Sequence, residues 1–267
     1  MRENPVLNDI LQSISLGKVE LSRFTFLEPI SIAHLSVASK QNNSIIDHSE
    51  NRGNAATFLS RLNFFDYIEI PDIHGQNIYS SNNLNTIEVN EASNCNETVY
   101  ERIQMILANS PQKNEETIDR LVAELITNIE MYAKYGVVVG QVISRVLHLA
   151  FVDRGPGIAT HLKKSNSKYS SFSDGSLILE SLKKGVTSGQ GKGFGLWQTH
   201  EVLSRNNGLL KIRSGNQIVD CLTGKCYKAE YPWFGTSIEL RYNLDNPVCF
   251  NEILGNQNNE VGNEFGF

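Results

Sequence analysis

Apolar positions along this 267-residue chain follow two periods, and the switches between them mark its elements. Lys18–Ser22 alternates as a strand does. Pro29 stands where a first helical turn tolerates proline, and Ile30, Ala33, His34 and Val37 follow at helical spacing. A further helix is predicted over Ala55–Phe65, with Phe58, Leu59, Leu62 and Phe65 on one face. Residues 71–85, rich in Asn, Ser and Gly, carry linker signals. The expected division is an α/β unit over 1–75, a linker over 76–85, and a second α/β unit over 86–245.

In the second unit, Thr86–Val89 reads as a strand and Glu97–Ala108 as a helix, with Pro111 closing that segment. Asn114, followed by Glu115 and Glu116, has the pattern of a helix N-cap with acids in the first turn. Ile118, Leu121, Val122, Leu125 and Ile129 then recur at amphipathic-helix spacing, and Gly136 is the expected stop. Gln141–Val152 is dense in Val, Ile, Leu and Phe, as in a buried strand or a hairpin pair. Residues 159–190 are polar and serine-rich, long enough for a lid, with a short helix near Leu177–Lys184. Leu196–Ser204 reads as a helix stopped by Asn207-Gly208, and 209–213 and 237–241 as strands. Residues 246–267 are expected to form a mobile polar tail.

Composition narrows the function classes. Apolar residues make up 40% and charged residues 20%, values of a soluble globular protein. The formal charge of −5 supplies no overall basic field, so direct nucleic-acid binding is not expected. No apolar run approaches the ~20 residues that span a bilayer, and a cytoplasmic location without membrane association is expected. The four cysteines are then expected as reduced thiols. Cys221 and Cys226 flank Gly224 as hairpin cysteines do, without a second pair at zinc spacing.

Three segments carry candidate chemistry. Glu124 and Asn128 are one turn apart on a helix, at the edge of its apolar stripe, where a carboxylate and an amide face the boundary between core and cleft. That pair suits an oxygen site for magnesium and a base that aligns an attacking hydroxyl or water. Asp153 ends an apolar strand and is followed by Gly155 and Gly157. A carboxylate there, beside a tight turn, is placed to accept a hydrogen bond from an adenine amino group. Gly189, Gly191, Gly193 and Gly195 then alternate ahead of Leu196 and a helix. Such alternation lets successive amides cradle an anion, the following helix adds its positive end, and Lys192 adds a charge for a terminal phosphate. No Walker loop, dinucleotide fingerprint, His-Glu-x-x-His or Gly-x-Ser-x-Gly motif competes with this pattern.

In this order, and followed by Gly235-Thr236, the segments over about 114–241 resemble the nucleotide-binding boxes of the GHKL superfamily. That group includes gyrase-type topoisomerases, heat-shock chaperones, sensor histidine kinases, mismatch-repair ATPases and anti-sigma serine kinases. The resemblance implies a two-layer α/β sandwich, the Bergerat fold, with ATP between a mixed sheet and a helical layer under a mobile lid. It implies Asn128 as magnesium ligand, Asp153 as adenine reader with Gly155 and Gly157 beside the base, and Thr236 as support for the adenine side. Gly191, Gly193 and Gly195 would wrap the phosphates, with Gly189, Lys192 and Leu196 in the same nucleotide-binding segment, and Glu124 would be the general base of an ATPase or protein serine kinase. Tyr132 stands where many relatives carry histidine.

Residues Phe24–Ser31 resemble, as a strand running into a helix start, the STAS domain of anti-sigma-factor antagonists. A degenerate STAS-like unit would serve docking to a protein partner or self-association. The acceptor-serine position of that family falls on Pro29 or Ile30, one place from Ser31. The expected function is an ATP-binding regulatory protein whose nucleotide state drives partner binding. The alternatives are a non-catalytic ATP-binding module and a histidine-kinase catalytic domain, the latter disfavoured by Glu124 and by the context of His34 and His74. A gyrase- or chaperone-type machine would need a further domain after Thr236.

Overall fold

A computed structural model describes residues 4–42, 45–46, 53–70, 85–92, 98–108, 111–189 and 193–253. Five strands form one sheet: β1 (Thr86–Glu91), β2 (Gly136–Ile143), β3 (Val146–Asp153), β4 (Leu209–Asp220) and β5 (Lys225–Asn243). The spatial order is β1-β2-β3-β5-β4, and all four pairings are antiparallel. The mixed sheet implied by the resemblance is therefore not what these strands form. The one parallel pairing among the described residues is the isolated bridge between Val19 and Ile46.

The apolar run over 141–152 is a hairpin. β2 and β3 pair from Gly136↔Asp153 to Ile143↔Val146. Ser144 and Arg145 turn between them with φ of 49° and 62°, the left-handed pair that matches strand twist in a two-residue turn. Its near-continuous hydrophobicity has a tertiary cause, because both faces are buried. Val138, Leu147, Leu149 and Phe151 join one core with Ile238, Leu240 and Tyr242 of β5. Val137, Val139, Ala150 and Val152 join a second core on the opposite face.

The N-terminal segment covers that second face. It contributes α1 (Pro5–Ser15), α2 (Pro29–Gln41), α3 (Asn54–Arg61) and the single-turn α4 (Phe64–Tyr67). α2 lies on β2 and β3 and is buried over Pro29–Ser39, whereas a surface helix would bury one stripe. Lys18–Ser22 is not a strand: beyond the bridge at Val19 it enters a 3-10 turn over Leu21–Arg23. Phe24–Glu28 is likewise irregular, so the expected strand before Pro29 is absent among the described residues. The helix predicted over Ala55–Phe65 is broken by Asn63, which sits in the left-handed region at φ 60°. Ser31 is fully buried, which removes it as an accessible phosphate acceptor.

The other face carries α5 (Thr98–Leu107), α6 (Gln112–Tyr132), α8 (Asp174–Ser181) and α9 (Gly195–Asn206), with α7 (Ile158–Ser165) beside α8. The two-layer expectation thus becomes helix, sheet, helix. Residues 159–189 of the expected lid are largely α7, a 3-10 turn over Ser167–Tyr169 and α8, and α8 overlaps the short helix expected near Leu177–Lys184.

Three local expectations are corrected by packing. Asn114 is not an N-cap: α6 starts at Gln112 with Pro111 before it. The Asn114 side chain is buried, donates to the Leu244 carbonyl at 2.9 Å and accepts from the Tyr242 hydroxyl at 2.9 Å. Gly136 does not stop α6. Lys134, at φ 64°, turns the chain, and its N–H and that of Ala133 both donate to the Ile129 carbonyl at 2.8 Å. Gly136 is needed for close approach, since a Cβ there would lie 2.8 Å from the Val152 carbonyl oxygen. The polar tail does not begin at 246: Val248, Phe250 and Ile253 are buried in the core, and Thr117 Oγ1 donates to the Val248 carbonyl at 2.7 Å. Residues 254–267, and all of the expected 76–85 linker but Asn85, lie outside the described residues. Among the described residues no helix is long and apolar enough to cross a membrane.

Candidate functional site

Strand alternation aims the site. Leu147, Leu149 and Phe151 of β3 point to the α6–α9 side, so Asp153, two residues on, points there too. On β5, Thr236 shares that parity with Ile238 and Leu240. α6 crosses above with Glu124 and Asn128 one turn apart and both half-buried, at the rim of the stripe formed by Leu121, Leu125 and Ile129.

These elements enclose a cavity of about 380 Å³, a size typical of small-ligand sites. Glu124, Asn128, Asp153, Gly155, Gly157, Gly193, Gly195, Leu196 and Thr236 all line it. Gly189 is exposed and outside the lining, and Gly191 and Lys192 lie outside the described residues. Sequence reasoning missed His161 and Gln198, which also face the cavity. His161 was legible only once Gly157 is seen to precede a helix: its N–H donates to the Gly157 carbonyl at 3.2 Å, which puts its ring one turn in. That ring packs 5.1 Å from the ring of Tyr132, and its Nε2 is 3.2 Å from the Tyr132 carbonyl.

Asp153 is the most constrained group. It is 7% exposed, and its Oδ1 accepts the N–H groups of Gly155 at 2.7 Å and Thr236 at 2.9 Å. Burial pushes its carboxyl from 3.8 up to about 6, and the hydrogen bonds from Thr236 and Gly155 offset part of that rise. Gly235 makes the approach of β5 possible: at φ 134°, a Cβ there would lie 2.1 Å from the Asp153 carbonyl oxygen. The Gly-Thr pair therefore has two jobs, a glycine that lets the backbones touch and an amide that fixes the carboxylate.

The cavity's far wall is the start of α9. Phe194 precedes that helix without a side-chain cap hydrogen bond, and Phe194, Gly195 and Leu196 line the cavity edge there. The Glu124 carboxylate lies against the same edge, its Oε2 within 2.5 Å of where a Cβ on Gly195 would sit. The segment leading to α9 is tied back on itself, since Gly185 N–H donates to the Gly193 carbonyl at 2.9 Å.

The donor set is oxygen-rich, with carboxylates and an amide, and among the described residues no group of three or more His, Cys, Asp or Glu is placed to hold a metal. Among the described residues Cys221, Cys226 and Cys249 are free thiols, Cys221 buried and Cys226 exposed at the β4–β5 hairpin. Compared with known proteins, the chain matches no family model, no curated protein and no solved structure.

Proposed function

We propose that this cavity binds ATP and that the chain is a nucleotide-dependent regulatory protein of the GHKL type, with a Bergerat-like nucleotide layer and ATPase or protein serine-kinase activity. The observation that carries the proposal is the convergence on one cavity of a buried strand-end carboxylate, a Glu–Asn pair one helical turn apart, and an uncapped helix N-terminus. Each part fits one portion of ATP.

Asp153, its plane fixed by two backbone amides, would accept a hydrogen bond from the adenine amino group. Gly157 and Thr236 would flank the base. The first N–H groups of α9 would meet the phosphates, where the helix end favours negative charge. Magnesium, bound through the Asn128 amide oxygen, would supply neutralisation of the phosphate charge. Glu124 would take the proton of the attacking water or serine hydroxyl as its oxygen bonds to the terminal phosphorus and ADP leaves. The helical layer of α1–α4 on the opposite sheet face, in place of a separate STAS-like unit, would be the surface for a protein partner or a second copy.

Calorimetry with ATP and magnesium tests binding, and removal of the Asp153 charge in Asp153→Asn should cost about 1–3 kcal/mol, the scale of a lost charged hydrogen bond. Glu124→Ala should keep binding while ADP formation falls by about 10²-fold or more. Equal turnover in wild type and Glu124→Ala would remove Glu124 from the chemistry. A wild type that binds ATP and forms no ADP would instead make the site a non-catalytic nucleotide sensor.

A further inference from the structure

Trp233 stands two residues before Gly235 on β5 and points to the sheet face opposite the cavity, where it is 2% exposed within the core of the N-terminal helices. Its indole Nε1 nonetheless donates to the backbone carbonyl of Asp153 at 2.8 Å. Three groups hold the ring in place. His34 of α2, itself fully buried, meets it edge-on with centroids 4.5 Å apart. The Arg154 guanidinium lies over it at 4.2 Å, a cation–π contact. β4 flanks it through the pairing of Gly215 with Trp233. His34 is anchored in turn by Nδ1, 2.7 Å from the Ile30 carbonyl.

The strand end that carries Asp153 is therefore gripped from both sides of the sheet. Thr236 N–H holds its carboxylate at 2.9 Å on the cavity face, and Trp233 holds its carbonyl from the N-terminal face. A second tie runs parallel to the first: Tyr67 of α4 and Tyr135, just past the cavity-lining Tyr132 and Ala133, share a hydrogen bond at 2.6 Å.

We infer that Trp233 is a positioning residue for Asp153, and that through it the N-terminal helical layer sets how well the cavity recognises an adenine amino group. The inference rests on the ATP proposal. A shift of α2 against the sheet moves His34, the indole and the Asp153 carbonyl together, because close-packed side chains transmit displacement. A partner that grips α1–α4 would then alter nucleotide affinity, and nucleotide would alter affinity for the partner by the same factor.

The experiment compares ATP with purine riboside triphosphate, which lacks the 6-amino group, on wild type and Trp233→Phe. Phenylalanine keeps an aromatic ring and deletes the N–H donor. Expected is a loss of about three- to tenfold in ATP affinity, the scale of one weakened hydrogen bond, with affinity for purine riboside triphosphate unchanged. A parallel fall for both nucleotides would assign Trp233 a structural role only and overturn the inference, as would unchanged ATP binding. Wild type that binds neither nucleotide would overturn the ATP proposal itself, a result distinct from either. Should Trp233→Phe fail to fold, Trp197→Phe leaves Trp233 as the one tryptophan in the chain. ATP should then shift its emission while purine riboside triphosphate does not, and an equal response to both would overturn the inference.

Discussion

Replacing Asp153 with asparagine should stabilise the protein at neutral pH while weakening its hold on ATP. The carboxyl is 7% exposed, and burial raises it from 3.8 to about 6. The folded protein therefore holds this proton more tightly than the unfolded chain does. Between pH 3.8 and about 6 the native state binds more protons, so stability falls as pH rises through that window and levels off above it. The gap between 3.8 and about 6 corresponds to about 3 kcal/mol of native-state penalty once the group is ionised. Asparagine can still accept from Gly155 and Thr236, the two amides that Oδ1 serves, and carries no charge to bury. Urea unfolding at pH 4 and pH 7.5 measures the effect. The variant should gain up to about 3 kcal/mol at pH 7.5, or about 6–12 °C in melting midpoint for a chain of this size, and little at pH 4. ATP affinity should move the opposite way at pH 7.5, and wild-type affinity should itself fall below about pH 6 as Asp153 protonates. A variant that loses stability equally at both pH values would refute the claim that a buried charge is kept there at a cost.

Two further outcomes separate site from scaffold. Gly195→Ala places a methyl 2.5 Å from Glu124 Oε2; the flexible carboxylate can swing away, so unfolding free energy should change by less than about 1 kcal/mol, while ADP formation falls. Asn114→Ala leaves the Tyr242 hydroxyl and the Leu244 carbonyl each short of a buried partner; urea unfolding should show a loss of about 2–5 kcal/mol, with the nucleotide affinity of the folded protein unchanged.

Local pattern made much of the cavity side legible. The α6 stripe of Ile118, Leu121, Val122, Leu125 and Ile129 is buried as its spacing requires, and the same helical arithmetic puts Glu124 and Asn128 at its rim. β1, α5 and α9 fall within a few residues of their expected positions, because each joins a clear period to a Pro, Gly or Asn boundary. The expectations that failed did so where long-range contact overrode local rule. Asn114 had cap chemistry, yet Tyr242 of β5 and Leu244 just after it offered two partners from 128 and 130 residues away. Lys18–Ser22 alternated like a strand, and among the described residues it pairs only through the bridge of Val19 with Ile46.

By itself the sequence determined which short segments carry candidate site residues, since a carboxylate–amide pair at helical spacing, an acid ending an apolar run and alternating glycines are properties of neighbours along the chain. Only the tertiary structure decided that Glu124, Asn128, Asp153, Gly193 and Gly195 line one cavity while Gly189 does not, because parity along β3 and β5 turns Asp153 and Thr236 toward the helices above. It also decided that the N-terminal helices share the sheet with that cavity, and that Trp233 reaches through the strand ends to Asp153. Those facts depend on which strands pair and which face each helix covers, and no local period encodes either.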